Sequence, residues 1–173
     1  LPRLATAVGV AAVAATIFFV QLDPSKLSSG VFRHGYARQT ANSKVLLLKH
    51  GKTATVSLVD IEGHGQISIS TNGKPDASIM MRGDKSAPDE ITMVLAGAMP
   101  VALHPNPKRI ANIGIGSGLT THVLLASDSV ETVDTVEIEP YMAKAAEIGF
   151  MPRVQRTFRD PRLQDRPDGP AGD

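Results

Sequence analysis

The chain has 173 residues, 42% of them hydrophobic and 20% charged, and a net charge of +1. That length fits one domain, or one domain with a membrane segment. No basic block marks a nucleic-acid binder. The absence of cysteine excludes disulfides and thiolate metal sites. With 4% aromatics and no Trp there is no base-stacking platform.

The first residue is Leu, which points to a processed chain or a fragment. Residues 4–22 then carry no charge, about the length that crosses a bilayer as a helix. Arg3 precedes the run, and Lys26, Arg33 and Arg38 follow it. The positive-inside bias therefore puts the following domain on the cytoplasmic side. Residues 1–22 are predicted as a transmembrane helix and the protein as membrane-associated. A signal sequence also fits the small residues and positive start; a buried helix is the third reading. Residues 23–43 read as a polar connector, with Asp23-Pro24 and Ser28-Ser29-Gly30 as turn signals.

From residue 44 the pattern turns to strands. Residues 44–49, 53–60 and 66–71 alternate or are rich in β-branched side chains. Residues 62–65 form a hairpin loop, and Asn72-Gly73 is a turn dipeptide. Residues 80–88, with Arg82, Asp84 and Lys85, read as a solvated loop, with a flap over a ligand as the alternative. Pro88, Asp89 and Glu90 announce a helix. Its apolar face is predicted at Ile91, Val94, Leu95, Ala98 and Met99, and it ends before Pro105.

Residues 110–113 are an apolar run leading into Gly114, Gly116 and Gly118. A helix over 119–126 follows, then a second apolar run, 133–138, carrying Glu137. Strand, glycine turn, helix, strand and acid is the layout of a nucleotide-binding βαβ unit. Glu137 stands 23 positions after Gly114, near the roughly 20 expected for an acid that receives ribose hydroxyls. A plain strand-to-helix turn is the alternative. Pro140 starts a further helix with Met142, Ala145, Ala146 and Phe150 inward. Residues 160–164 begin a third parallel strand at most, and the Pro- and Gly-rich residues 165–173 read as a disordered tail.

The fold class is thus α/β. A small N-terminal antiparallel sheet (44–80) precedes an incomplete methyltransferase-like, Rossmann-like domain (81–164). No two of the five histidines lie i, i+4 on a helix, and no metal site is predicted. Asp128, Glu131 and Asp134 read as a solvated turn. Ser117 has no partnered base, which argues against a hydrolase.

Several stretches occur together: Asn-Gly-Lys-Pro-Asp-Ala at 72–77, a helix ending in Met99-Pro100, and His-Pro-Asn-Pro-Lys-Arg at 104–109. Ile-Gly-Ile-Gly-Ser-Gly at 113–118 and Val-Glu-Ile-Glu-Pro at 136–140 complete the set. This combination resembles the spermidine synthase-like aminopropyltransferase family, particularly its membrane-fused bacterial branch, over about residues 44–164. The resemblance implies aminopropyl transfer from decarboxylated S-adenosylmethionine to a polyamine such as putrescine. It implies that Gly114, Gly116, Ser117 and Gly118 lie beside the methionine-derived part of the nucleoside, and that Glu137 holds the ribose. Decarboxylated S-adenosylmethionine or S-adenosylmethionine would be a co-substrate, with no cofactor bound permanently. A homo-oligomer is compatible with the resemblance.

Ser117 stands where the family usually carries Asp. The family's Tyr-Gln pair is absent around Thr92, Met93 and Val94. The adenine-side acid and the catalytic acid have no counterpart before the tail. No catalytic residue is therefore assigned, and the chain is expected to be truncated at its C-terminus, to lack aminopropyl transfer and, with the adenine wall missing, to bind nucleoside weakly or not at all. Two other readings are an S-adenosylmethionine-dependent methyltransferase-like protein and a membrane-tethered, non-catalytic nucleoside binder.

Overall fold

A computed structural model describes residues 2–20, 22–83 and 85–165. Asp84 and the part of the predicted tail from residue 166 onward lie outside the described residues; Asp165 instead closes a strand.

Helix α1 (Pro2–Phe19) carries no charge after Arg3 and buries no residue. Among the described residues it is the one helix long and apolar enough to cross a membrane. The connector is more structured than its polar composition indicates. Asp23 caps the short helix α2 (Pro24–Leu27), accepting from Ser25 N at 2.9 Å. After it come the buried Ser28 and Ser29 and the short helix α3 (Val31–His34). Gln39 Nε2 donates to Ser28 O at 2.6 Å. Gly30 meets Gly73 backbone to backbone: a Cβ on Gly30 would stand 2.0 Å from Gly73 O.

Strands β1 (Ser43–His50), β2 (Thr55–Ile61), β3 (Gln66–Thr71) and β4 (Lys74–Met80) form an antiparallel meander in chain order. Strand β4 was not among the predicted strands. Its Pro75 lies on an edge strand, where a missing N–H is tolerated. The Asn72-Gly73 turn has φ of 49° and 75°, as a two-residue hairpin turn of this hand requires. The β3–β4 register slips: Ser70 pairs with Pro75 and Ile69 with Ala77, so Asp76 between them has no partner and forms a bulge.

Helix α4 (Pro88–Leu103) starts where predicted, runs through Pro100 and ends before Pro105 as expected. Its buried Glu90 reaches back to Ala87 N at 3.0 Å and also accepts from Met80 N at 2.6 Å, tying the helix start to β4. The predicted inward face is reversed. Ile91, Val94, Leu95 and Met99 are exposed, whereas Glu90 and Gly97 are buried and Met93 and Val101 pack on the two cores. The helix is apolar nearly all round, so periodicity alone left its orientation ambiguous. Gly97 decides it. A Cβ there would lie 2.9 Å from Thr120 O and from Val123, so this is the side that approaches the next helix.

Strands β5 (Arg109–Ile113), β6 (Thr132–Val136) and β7 (Leu163–Asp165) form a parallel sheet in that order. Helix α5 (Leu119–Leu124) joins β5 to β6. Helix α6 (Pro140–Phe150) and the short α7 (Arg156–Arg159) lead to β7. The predicted inward residues of α6, Met142, Ala145, Ala146 and Phe150, are all buried. They pack with Val56, Leu58, Ile69 and Ile79 of the antiparallel sheet. The small sheet and the α/β unit therefore share one core, with α6 as its centre. Leu124, Leu125, Val130 and Val133 form a second core under the parallel sheet.

Phe150 is fully buried, whereas Leu95 is 49% exposed. Phe150→Ala is expected to lower unfolding free energy by about 3–5 kcal/mol, and Leu95→Ala to change it by no more than about 0.5 kcal/mol. Urea denaturation of the two variants checks this; equal losses would mean that the predicted face of α4 is the packed one.

Candidate functional site

Strand β5 delivers the chain to a turn in which Gly114, Gly116 and Gly118 all take positive φ, +85°, +52° and +83°. Side chains rarely adopt that conformation, which is why glycine stands at each. The three differ in what surrounds them. A Cβ on Gly118 would lie 2.9 Å from Thr157 Cγ2, so that glycine serves packing against α7. At Gly114 and Gly116 nothing lies within 4 Å of the Cβ position. Bare backbone there faces open space that a ligand can enter.

The turn is tied down from three directions. Gly114 N donates to Val136 O at 2.7 Å and Gly118 N to Ile115 O at 2.7 Å. Asn112 Nδ2 donates to Thr121 Oγ1 at 2.8 Å and to Gly114 O at 3.2 Å. Ile115 N donates to Glu137 Oε2 at 2.9 Å. The other oxygen of Glu137 accepts from Glu139 N at 2.9 Å. These two bonds fix the plane of the Glu137 carboxylate. Each oxygen retains a lone pair, and a carboxylate with two free lone pairs can take two hydroxyls.

Glu137 stands between two cavities. One, of about 480 Å³, is lined by Gly114, Gly116, Ser117 and Glu137, by Met93 of α4, and by Thr71 and Asp76 of the antiparallel sheet. The other, of about 420 Å³, shares Ile115 and Glu137 and adds Thr135, Lys144, Phe158 and Leu163. Phe158, Leu163 and Ile115 give the second cavity an apolar wall. Ser117 is buried, and its hydroxyl donates to Met93 Sδ at 3.1 Å. It holds α4 against the turn.

Glu139 is a site residue that the sequence reading did not single out. It is buried and caps α6, accepting from Tyr141 N at 3.2 Å. It also accepts from Thr53 N at 3.0 Å, Thr53 Oγ1 at 2.8 Å and Ala54 N at 3.4 Å. The β1–β2 loop is thereby pinned beside Glu137, and β2 starts at Thr55 rather than at Thr53 as predicted. Gly51 must be glycine for this contact, because a Cβ would lie 2.1 Å from the carboxylate. Burial alone would raise the Glu139 pKa. The donors from Thr53, Tyr141 and Ala54 outweigh it and hold the carboxyl below its ordinary value.

Asp76 and Thr71 were also missed as site residues. The signal for Asp76 was its place just after an Asn-Gly turn and a proline, where regular pairing is interrupted. Asp134, expected in a solvated turn, lies within β6 with Oδ1 buried and unpartnered. Arg82 is held by Asp60 at 3.2 Å.

Residues 92–165 match the family model described as the spermine/spermidine synthase domain. The polyamine aminopropyltransferase of Thermotoga maritima is 30% identical over 135 residues, 72% of this chain and 42% of the relative. The chain is spermidine synthase-like. Putrescine N-methyltransferase 1 of Nicotiana tabacum is 35% identical over 65 residues, 38% of this chain and 17% of that protein. The solved spermidine synthase of Thermotoga maritima superposes with a TM-score of 0.60 at 22% identity, covering 71% of this chain and 40% of that one. This spermidine synthase-like chain thus spans less than half the length of the aminopropyltransferases it matches, with their mixed architecture of antiparallel sheet followed by Rossmann-like unit.

The folded pKa of Glu139 lies below its unfolded value. Its stabilisation is therefore complete above the ordinary glutamate pKa of 4.5 and is lost as pH falls through the folded one. Glu139→Gln is expected to cost about 1–2 kcal/mol at neutral pH and to remove one component of the acid-side loss. Asp160, also held low, first by its hydrogen bond from Arg162, retains its own component. Urea midpoints between pH 7 and 3 check it; an unchanged acid limb would show that Glu139 is not ionised in the latch.

Proposed function

We propose that the two cavities together take an S-adenosyl nucleoside, with Glu137 receiving the ribose hydroxyls on the wall between them. The observation that carries this reading is the pre-set Glu137 carboxylate beside two glycines that face open space. The apolar recess of Ile115, Phe158 and Leu163 suits the base, and the cavity under Gly114 and Gly116 suits the methionine-derived arm. The recess supplies a wall that the sequence reading expected to be missing, so binding is proposed here rather than its near absence.

The chemistry this site serves in the family is aminopropyl transfer, with decarboxylated S-adenosylmethionine as co-substrate and a polyamine such as putrescine as acceptor. In that reaction an amine nitrogen bonds to the carbon beside the sulfonium. The carbon–sulfur bond breaks, 5′-methylthioadenosine leaves and the nitrogen gives up a proton to a base. Among the described residues the arm-side cavity has two carboxylates, Asp76 and Glu137. Glu137 is held by two backbone N–H groups and Asp76 by Thr71, so neither is poised as the base. The chain by itself is accordingly proposed to bind nucleoside without turning it over. The match to putrescine N-methyltransferases supports a second reading, methyl transfer from S-adenosylmethionine, which uses the same ribose acid and glycine turn.

Calorimetry with 5′-methylthioadenosine tests the site. Binding in the micromolar range is expected, and Glu137→Ala should weaken it at least about tenfold, the equivalent of 1.4 kcal/mol. Absence of heat with the unaltered chain refutes the reading. Spermidine formed from putrescine and decarboxylated S-adenosylmethionine would refute the non-catalytic part, and N-methylputrescine formed from S-adenosylmethionine would favour the second reading.

We further propose that α1 anchors the chain in a membrane with Lys26, Arg33 and Arg38 on the cytoplasmic side. Support comes from its surface, which carries no charge after Arg3, and from its having no buried residue. The full chain should stay with membranes through an alkaline carbonate wash, and a chain lacking residues 1–22 should not; release of both would place α1 outside the bilayer.

A further inference from the structure

We infer that Asp76 is the residue by which the arm-side cavity selects a positively charged methionine-derived arm that carries no carboxylate. The inference rests on the nucleoside reading above and deepens it. Asp76 is the unpaired residue of the β3–β4 bulge. Bulges break the alternation of side chains and re-aim the extra one. Here the extra residue lines the same cavity as Gly114, Gly116 and Glu137, from the opposite sheet.

Its carboxylate is oriented. Thr71 Oγ1 donates to Asp76 Oδ2 at 2.6 Å, and Thr71 lines the cavity beside it. The other oxygen has only Lys74 Nζ at 3.6 Å, on a side chain that is 63% exposed. That pair is long and solvated, and such pairs are weak. A cation inside the cavity can take the place of Lys74.

The charge balance points the same way. No Lys, Arg or His lines this cavity among the described residues, while Asp76 and Glu137 give it two negative charges. Ser117, on the glycine turn itself, offers no charge, and its hydroxyl is bonded to Met93. Asp76 is therefore the carboxylate available to a cation on the arm, because Glu137 faces both cavities as the ribose acid. Decarboxylated S-adenosylmethionine carries a sulfonium and an ammonium. S-Adenosylmethionine adds a carboxylate that Asp76 would repel, and 5′-methylthioadenosine carries no charge on its arm.

The test is titration calorimetry of the full chain with these three nucleosides, before and after Asp76→Asn and Asp76→Glu. The unaltered chain should prefer the decarboxylated co-substrate to S-adenosylmethionine. Asp76→Asn keeps the shape and the acceptor for Thr71, and should narrow that preference about tenfold. Binding of 5′-methylthioadenosine should change less than about twofold, a contrast that loss of fold would not produce. Asp76→Glu should restore part of the preference. An unaltered preference in Asp76→Asn, or equal weakening of all three nucleosides, overturns the role of Asp76 and leaves the nucleoside site standing. Failure of all three to bind the unaltered chain overturns both.

Discussion

One carboxylate joins the parts of this molecule that make a site. Glu139 begins α6 as its cap, pulls Thr53 and Ala54 out of β2, and gives its own N–H to Glu137. Thr53 and Glu139 are 86 positions apart, so the contact closes a long loop. It also sets the rotation of Glu137, which in turn holds Ile115 N and the glycine turn. The chain of bonds runs from an antiparallel hairpin to a parallel-sheet turn through two acids separated by one residue. The apolar core beneath it is shared in the same way, since α6 packs on both units. The α/β unit supplies both donors to Glu137, and the antiparallel unit adds the bonds that hold Glu139 and, with Thr71 and Asp76, the facing wall of the arm-side cavity.

Much of this arrangement was legible in the sequence. Alternation over 66–71 placed β3 to the residue, and the Asn-Gly dipeptide placed its turn. The glycine spacing marked the βαβ unit, and the acid after its second strand is the one bonded back to the turn. Pro140 and the 3.6-residue spacing after it gave α6 with its buried face. In each case the signal was local: a period, a turn residue or a cap.

The failures share a cause, because each depended on a partner distant in sequence. Helix α4 has apolar residues on most of its circumference, and only the approach of α5 at Gly97 shows which side is buried. Strand β4 contains a proline and a bulge that interrupt alternation, and pairing with β3 makes it a strand. The connector looked like a linker because its serines are polar. Ser28 and Ser29 are buried, and Gly30 after them meets Gly73 of the β3–β4 turn backbone to backbone. Glu139 looked like a second acid at a strand end, and its partners lie in another sheet. Ser117 stands where the family usually carries Asp, and its hydroxyl is bonded to Met93 of α4, 24 positions away.

For the proposed site, the hydrogen bonding of the glycine turn also separates two kinds of nucleotide. In a dinucleotide site the amides after the first strand face a pyrophosphate, and the helix N-terminus adds to their pull. Here the amides of Gly114, Ile115 and Gly118 all have protein acceptors, and the acceptor at Ile115 is the Glu137 carboxylate itself. A phosphate brought to this turn would meet an anion already bonded to it. At a separation of about 5 Å and an effective dielectric near 20, each pair of like charges costs roughly 3 kcal/mol. The protein's own carboxylate thus occupies part of the anion position of the nucleotide-binding turn. A ligand that joins a ribose to a cationic arm would meet no such repulsion, because in the proposed site its hydroxyls would donate to Glu137 and its charge is opposite in sign. The same glycine pattern that invites a dinucleotide in isolation therefore disfavours one once the acid is bonded back to the turn.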